Sequence, residues 1–139
     1  ANAFKYAELP IKVGIHSTIS AYTVLDMSSL AKFFIELNEY KNKKAVMLHY
    51  NAHVVRIPRA LDYANLNTDL RIRAIQEIKS AIELLNENKV FYVFVNELES
   101  LLKQLLSRTD CKYKLFVDMT KSLDKVRNQS FEEVFGYSL

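Results

Sequence analysis

The chain has 139 residues, half of them apolar, with eight Phe and eight Tyr, so it is long enough for one domain with a sizeable core. Its net charge of +3 neither requires nor excludes nucleic acid, but no aromatic platform for RNA is evident and we expect no such partner. No apolar run reaches membrane-spanning length, so we expect no membrane partner either. A single cysteine, Cys111, excludes an internal disulfide and a cysteine-held metal cluster within this chain, and favours a reducing, cytoplasmic setting.

The first predicted element is a strand over Ile11–Ser20, introduced by Pro10, which disfavours a helix running into it. Apolar and polar side chains alternate along this segment, and successive side chains of a strand point to opposite faces. The apolar set is Val13, Ile15 and Ile19, and the polar set is Gly14, His16, Thr18 and Ser20. Because a strand within a parallel sheet is normally apolar on both sides, a complete polar face indicates a surface that meets a ligand.

A helix and a second alternating strand follow the first strand. Leu30, Phe33, Phe34 and Leu37 have the spacing of a core-facing helical stripe, and Ser28 or Ser29 can cap that helix. In Ala45–Val54, the set Val46, Leu48, Tyr50 and Ala52 opposes the set Met47, His49, Asn51 and His53. A helix between two strands predicts a βαβ unit with parallel strands, which would bring the two polar sets onto a shared surface.

The rest of the chain is predicted to be helical after a loop over Arg56–Asn67. Val90–Val95 has strand propensity, but the spacing of the leucines that follow favours one helix from about Lys89 to Ser107. The other expected helices run from an N-cap at Thr68 to about Leu85, over Tyr113–Arg127, and from a capping box at Ser130–Glu133 to Gly136. We therefore divide the chain into a βαβ portion, residues 1–62, and a helical tail region, residues 63–139.

Two groups of polar residues are candidates for a binding site. Thr18 and Ser20 lie at the C-terminal end of the first strand, where α/β proteins bind ligands, and their hydroxyls suit a ribose, amino or carboxylate group. The alternative is polarity at a strand end that needs no ligand. His16, His49, Asn51 and His53 can contact a ligand, or can equally form internal hydrogen bonds or meet solvent.

Other kinds of site receive less support from the sequence. No HExxH or CxxC motif is present, so we expect no metal site, and neither a phosphate-binding GxxxxGK[ST] nor a GxGxxG motif occurs. Ser17 and His16 point to opposite faces of their strand, which excludes them as a nucleophile and base. Four arginines could meet an anionic ligand, but a solvated surface with local carboxylate pairing is favoured; they are Arg56, Arg59, Arg71 and Arg73.

Three segments resemble the radical S-adenosylmethionine enzymes that have a short C-terminal "twitch" region. Thr18–Asp26 is similar to the family's late barrel strand, T-[VI]-S-x-x-N-[VIL]-x-D, with Thr23 in place of the Asn. Val55, Pro58 and Leu61 have the spacing of its V-x-x-P-x-x-L loop. The segment from Leu123 to Phe135 resembles the closing signature L-D-x-x-R…F-x-E-x-F-P-E-L, with Gly136-Tyr137 where Pro-Glu is usual.

The resemblance implies an α/β fold in which a βαβ unit from the end of a partial (β/α) barrel is followed by a helical C-terminal region. It implies that Thr18 and Ser20 lie near S-adenosylmethionine, and that the substrate side is lined by His16, His49, Asn51 and His53. The family's [4Fe–4S] cluster needs a CxxxCxxC motif that is absent here, so a missing N-terminal half or a cysteine-rich partner would supply it. The chain, which starts at Ala1, would then be a fragment or one product of a split gene, without activity alone.

A second interpretation belongs to a different class of protein. A chain of this length can keep the scaffold as a non-catalytic binding or assembly module. In that case the edge of the sheet and Phe91–Val95 would form a partner surface, and a homo-oligomer through the sheet edge is one such assembly.

Overall fold

A computed structural model describes residues 12–43, 47–89, 92–107 and 112–139. The elements in chain order are β1 (Lys12–Ile19), α1 (Met27–Lys43), β2 (Met47–Val54), α2 (Thr68–Glu87), α3 (Tyr92–Ser107), α4 (Tyr113–Arg127) and α5 (Phe131–Phe135). Short 3₁₀ turns occur at Thr23–Asp26, Arg59–Leu61 and Tyr63–Asn65. The prediction of a mixed α/β chain with a helical C-terminal region is confirmed, whereas the partial barrel remains a prediction.

The strands β1 and β2 form a parallel pair, as a βαβ unit requires. Their register runs from Lys12 opposite Met47 to Ile19 opposite Val54. Among the described residues this is a sheet of two strands, each with the other as its neighbour. Ile19 is buried, and Ile15, Ala52 and Val54 pack against the same core, so the predicted apolar face of β1 and β2 is the one that meets the protein interior.

One hydrophobic core joins the βαβ portion to the helical tail region. Phe34 of α1 meets Phe94 of α3 edge to face, with ring centroids 5.1 Å apart, and neither side chain is exposed. Phe116 and Phe131, from α4 and α5, belong to the same buried cluster. Burial of each such ring contributes about 1.5–3 kcal/mol, so the two predicted regions stabilise each other through shared packing.

Two predicted helix caps differ from the structure. The N-cap of α2 is Asn67, not Thr68, because Asn67 has extended backbone and its side chain accepts from the Leu70 amide at 2.9 Å. α1 begins at Met27, and the Ser28 amide donates to the Glu77 carboxylate at 3.0 Å, so its N-terminus is capped from α2. A local sequence pattern cannot predict this cap, because Glu77 lies 49 residues away from Ser28 in the chain.

The caps of the last helix match the prediction. The Ser130 side chain accepts from the Glu133 amide at 3.2 Å, which is half of a capping box. Gly136 ends α5 with φ of +64°, a left-handed conformation that glycine adopts without steric cost.

The ambiguous segment Val90–Val95 contributes to a helix in its described part. α3 is described from Tyr92 onward, while Val90 and Phe91 lie outside the described residues. Phe94 and Val95 are buried and Val93 is 67% exposed, so helical periodicity decides which side chains enter the core. Only Val93, of the described side chains in this predicted partner surface, is left accessible.

Local interactions engage two arginines of the predicted basic cluster, Arg56 and Arg73. Arg56 lies 3.7 Å from the Asp62 carboxylate and donates to the Gln104 side chain at 3.0 Å. Arg73 donates to the backbone carbonyl of Phe135 and so holds the C-terminal segment on α2. Of the two, Arg56 shows the carboxylate pairing that the favoured interpretation expects, and for the cluster as a whole a solvated surface stays a prediction.

Candidate functional site

The strand register brings the two predicted polar sets to one side of the sheet. Gly14 is opposite His49, His16 is opposite Asn51, and Thr18 is opposite His53. Paired residues of parallel neighbours project to the same side of a sheet, so these six residues share a surface. We call this surface the polar face.

Most of the polar face is open to solvent. His16, Thr18 and His53 are exposed and Asn51 is half-buried. For His49 the structure describes the backbone position in β2, and its side chain lies outside what is described. A Cβ atom placed on Gly14 would lie 3.7 Å from Nε2 of His16, so the imidazole ring extends back along its own strand.

Ser20 and Thr23 organise the turn at the end of β1. The Ser20 hydroxyl accepts from the amides of Tyr22 and Thr23 at 3.2 and 3.4 Å, and Ser20 is buried. The Thr23 hydroxyl accepts from the Ser20 amide at 2.7 Å and donates to the Thr18 carbonyl at 3.1 Å. The structure therefore gives Ser20 a role in turn formation, and leaves the Thr18 side chain as the exposed hydroxyl of the predicted cosubstrate pair.

A glutamate that the sequence did not single out lies beside the end of β2. Burial raises the pKa of the Glu97 carboxyl, and the charge of His53 acts in the opposite direction. Oε2 of Glu97 is buried and accepts no hydrogen bond from the described part of the chain. In the sequence, Glu97 is one polar position of a predicted helix. Its partial burial near His53 follows from the packing of α3 beside β2, which the sequence does not show.

A cavity that the sequence did not indicate lies between the turn after β1 and the last two helices. It has a volume of about 260 Å³ and is lined by Tyr22, Thr120, Asp124, Arg127 and Phe131. Tyr22 and Thr120 share a hydrogen bond of 2.8 Å, and burial raises the pKa of the Tyr22 phenol. The sequence nevertheless did contain a signal for this cavity. Asp124, Arg127 and Phe131 all belong to the segment from Leu123 to Phe135 that resembles the closing signature of the family.

Part of that signature has a structural explanation. The Asp124 carboxylate accepts from the Phe131 amide at 3.0 Å, which satisfies a free donor at the start of α5. Asn128, between them, ends α4 in a left-handed conformation with φ of +51°. The spacing between the L-D-x-x-R and F-x-E-x-F parts therefore serves a tight connection between two helices.

The residues of this chain do not fit an iron–sulfur cluster. Such a cluster is held by several cysteine thiolates, and Cys111 is the only cysteine. In the described ranges, His, Cys, Asp and Glu side chains form no group of three or more that could hold a metal ion. Cys111 itself lies outside the described residues. Any cluster chemistry would have to be supplied by another polypeptide segment.

No family profile, no curated protein and no solved structure matches this chain. Among the described helices, none combines the length and the apolar character needed to cross a membrane.

Proposed function

We propose that this chain is the C-terminal portion of a radical S-adenosylmethionine enzyme and forms part of the wall of its pocket. The observation that carries the proposal is the distribution of side chains on the two strands. Their apolar face packs on the helical core, while the polar face of His16, Thr18 and His53 is exposed. In a (β/α) barrel, helices cover the outside of the strands, and the inner surface holds the chemistry.

The small size of the sheet, two strands in the part of the chain that the structure describes, supports the same proposal. Two strands alone make a poor sheet, and parallel strands normally occur in larger sheets buried on both faces. β1 and β2 have the length, eight residues each, and the connection of consecutive barrel strands. Further strands from another polypeptide segment would extend this pair and enclose the polar face.

Each residue of the polar face has a distinct proposed role. Thr18 lies at the C-terminal end of β1, where its hydroxyl would bind the ribose, amino or carboxylate group of S-adenosylmethionine, and Ser20 would support it by fixing the turn. His16, His49, Asn51 and His53 would orient the substrate with imidazole and amide groups. The cluster would come from a cysteine-rich N-terminal half or partner chain, and this chain alone would be inactive.

The test is anaerobic purification of the chain with every polypeptide that copurifies, followed by reconstitution with iron and sulfide. We expect a brown complex with iron–sulfur absorbance that binds S-adenosylmethionine in equilibrium dialysis. A complex that stays colourless after reconstitution would overturn the proposal.

Thr18→Ala tests the role of the polar face within that complex. Loss of one hydrogen-bonding hydroxyl should weaken S-adenosylmethionine binding about tenfold, which corresponds to ~1.4 kcal/mol. Ser17→Ala is the matched control, because Ser17 is opposite Ala52 and projects to the other side of β1. Equal affinities of the Thr18→Ala and Ser17→Ala complexes would remove Thr18 from the cosubstrate site.

A second candidate function, a non-catalytic assembly module, is favoured by the unpaired strand edges of β1 and β2 among the described residues. Exposed backbone donors and acceptors on such edges can pair with a strand of another chain. A module should be colourless, and Thr18→Ala should leave its assembly unchanged. Iron–sulfur absorbance of the reconstituted complex distinguishes the two functions, and analytical ultracentrifugation of the wild-type and Thr18→Ala chains checks the assembly.

A further inference from the structure

The cavity between the turn after β1 and the last two helices combines an apolar wall with two opposite charges. Its volume of about 260 Å³ corresponds to roughly nine molecules of liquid water, which is enough room for one small organic molecule. Leu123, Phe131 and Val134 supply apolar surface, and Asp124 and Arg127 supply the charges. Because Phe131 is buried and Val134 is exposed, the cavity leads from the core to the solvent.

The two charges of the cavity do not neutralise each other. Asp124 and Arg127 are three residues apart on α4, a spacing at which opposite charges can pair, but no salt bridge joins them in the described part of the chain. The guanidinium of Arg127 is exposed and donates to none of the described residues. Oδ2 of Asp124 accepts from the Phe131 amide at 3.0 Å, whereas Oδ1 has no such donor and is not closed off from solvent. An open cation and an open carboxylate oxygen therefore meet at one apolar wall.

Tyr22 adds a hydroxyl group to the same cavity. It shares a hydrogen bond of 2.8 Å with Thr120, which is buried, and when Thr120 is the donor the phenol proton can be donated into the cavity. Burial raises the pKa of the Tyr22 phenol, and the charges of Asp124 and Arg127 act on it in opposite directions, so both charges lie near this hydroxyl.

We propose that this cavity binds a free α-amino acid with an apolar side chain of about the size of leucine. The carboxylate would meet Arg127, whose planar guanidinium matches both carboxylate oxygens, and the ammonium would meet Oδ1 of Asp124. The side chain would lie against Phe131 and Val134. A carboxylic acid without an ammonium group would be repelled by Asp124, and an amine without a carboxylate by Arg127, so the zwitterion is the class of ligand that suits both charges.

The proposal goes beyond the pocket-wall function and does not depend on it. It requires neither S-adenosylmethionine nor a cluster, and none of its residues belongs to the polar face. An amino acid within a peptide chain has lost both charges to peptide bonds, so the expected ligand is a free amino acid and not a protein partner.

The test is titration of the complete, isotopically labelled chain with L-leucine near neutral pH and at constant ionic strength, followed by amide NMR. We expect saturable shifts around the cavity, at Tyr22 and from Arg127 to Phe131. Isocaproate lacks the ammonium group of leucine, and isoamylamine lacks its carboxylate. Each analogue should bind about fivefold more weakly than leucine, because one charge pair is lost.

Two variants and a matched control assign the charges. Arg127→Gln and Asp124→Asn should each weaken leucine binding about fivefold, the upper end of what an exposed charge pair contributes. The Asn side chain keeps an oxygen that can accept from the Phe131 amide, so the connection between α4 and α5 is preserved. Lys125→Gln should bind leucine like the wild type, because Lys125 is exposed in the same last turn of α4 and does not line the cavity.

The outcomes separate the proposal from a cavity that holds only solvent. Weaker binding by Arg127→Gln and Asp124→Asn, with unchanged amide spectra of the ligand-free variants, would support it and would exclude unfolding as the cause. Equal leucine affinity in the wild-type and Arg127→Gln chains would overturn it. Isocaproate or isoamylamine that binds as tightly as leucine would overturn it too, as would shifts that grow linearly with leucine and never saturate.

Discussion

Glu97 is the residue whose environment gives the clearest expectation for stability. Burial raises the pKa of its carboxyl above the ordinary value of 4.5, and His53 opposes this only in part. A glutamate with a raised pKa binds its proton more tightly in the folded chain than in the unfolded chain. The contribution of Glu97 to the free energy of unfolding is therefore greatest when Glu97 is protonated in both states, and this contribution is lost as the pH rises through the folded-state pKa.

Replacing Glu97 with Gln should accordingly stabilise the chain near neutral pH, by less than about 1 kcal/mol because the carboxyl is only partly buried and solvent screens its charge. The gain should shrink below the ordinary glutamate pKa of 4.5, where the wild-type carboxyl is neutral as well. Urea unfolding of the wild type, Glu97→Gln and Glu99→Gln, once near neutral pH and once below pH 4.5, measures the free energy of unfolding under the two conditions. A stabilisation that is the same at both pH values, or that Glu99→Gln reproduces, would contradict the explanation.

Single residues of the polar face were predictable, and Glu97 was not. Alternation along β1 and β2 assigns His16, Thr18 and His53 to one face because a strand has a two-residue period. On a helix, a carboxylate among leucines is typical of the solvated side, so sequence spacing does not reveal that Glu97 lies beside Ala52 and Val54 of β2. Ser20 belongs to the predicted site by its place in the chain, but its hydroxyl accepts a hydrogen bond from the Tyr22 amide within the turn after β1.

At the scale of elements, the N-terminus of α2 provides a direct test of a corrected prediction. Asn67→Ala removes the side chain that accepts from the Leu70 amide, and should cost about 0.5–2 kcal/mol of unfolding free energy. Thr68→Ala, at the exposed residue that the sequence had indicated, should change it by less than about 0.5 kcal/mol. Because Asn67 also donates to the Tyr137 hydroxyl at 2.8 Å, Tyr137→Phe isolates that contribution. The reverse ranking of the two alanine variants in urea unfolding would restore Thr68 as the cap.

Element types were more predictable than the partners at their ends. The strands, the long helices and the cap at Ser130 follow from periodicity and local hydrogen bonding. The start of α1 does not, because its Ser28 amide is satisfied by Glu77, 49 residues later in the chain. A capping interaction between helices depends on their packing, which no local pattern contains.

For the whole molecule, the shared core predicts that one phenylalanine of α1 matters much more than its neighbour. Phe34 is fully buried against Phe94, whereas Phe33 is 43% exposed. Phe34→Ala should lower the free energy of unfolding by about 3–5 kcal/mol, and Phe33→Ala by roughly 1 kcal/mol or less. Both should unfold in a single transition seen by circular dichroism and by tyrosine fluorescence. Two separate transitions would mean that residues 1–62 and 63–139 do not share a cooperative core.

The shared core was the feature that the sequence could not provide. Each helix shows an apolar stripe, but a stripe does not state which other element covers it. The division at residue 62 follows the change from strands to helices, and the packing of Phe34, Phe94 and Phe116 crosses it. The parallel register was predictable in kind, since a helix connects the strands, while its exact alignment required coordinates.

The central claim is that the polar sets of β1 and β2 lie on one side of a parallel pair, and cross-linking in a Cys111→Ser background tests it directly. Thr18 is opposite His53, and neighbouring strands are separated by about 4.8 Å, within the roughly 4.4–6.8 Å range of Cα separations in disulfides. Under mild oxidation, Thr18→Cys with His53→Cys should form a disulfide rapidly, as identified by peptide mass spectrometry. Ser17→Cys with His53→Cys, whose side chains project to opposite sides, should not. A faster cross-link in the Ser17 pair would place the polar sets on different surfaces and contradict the account.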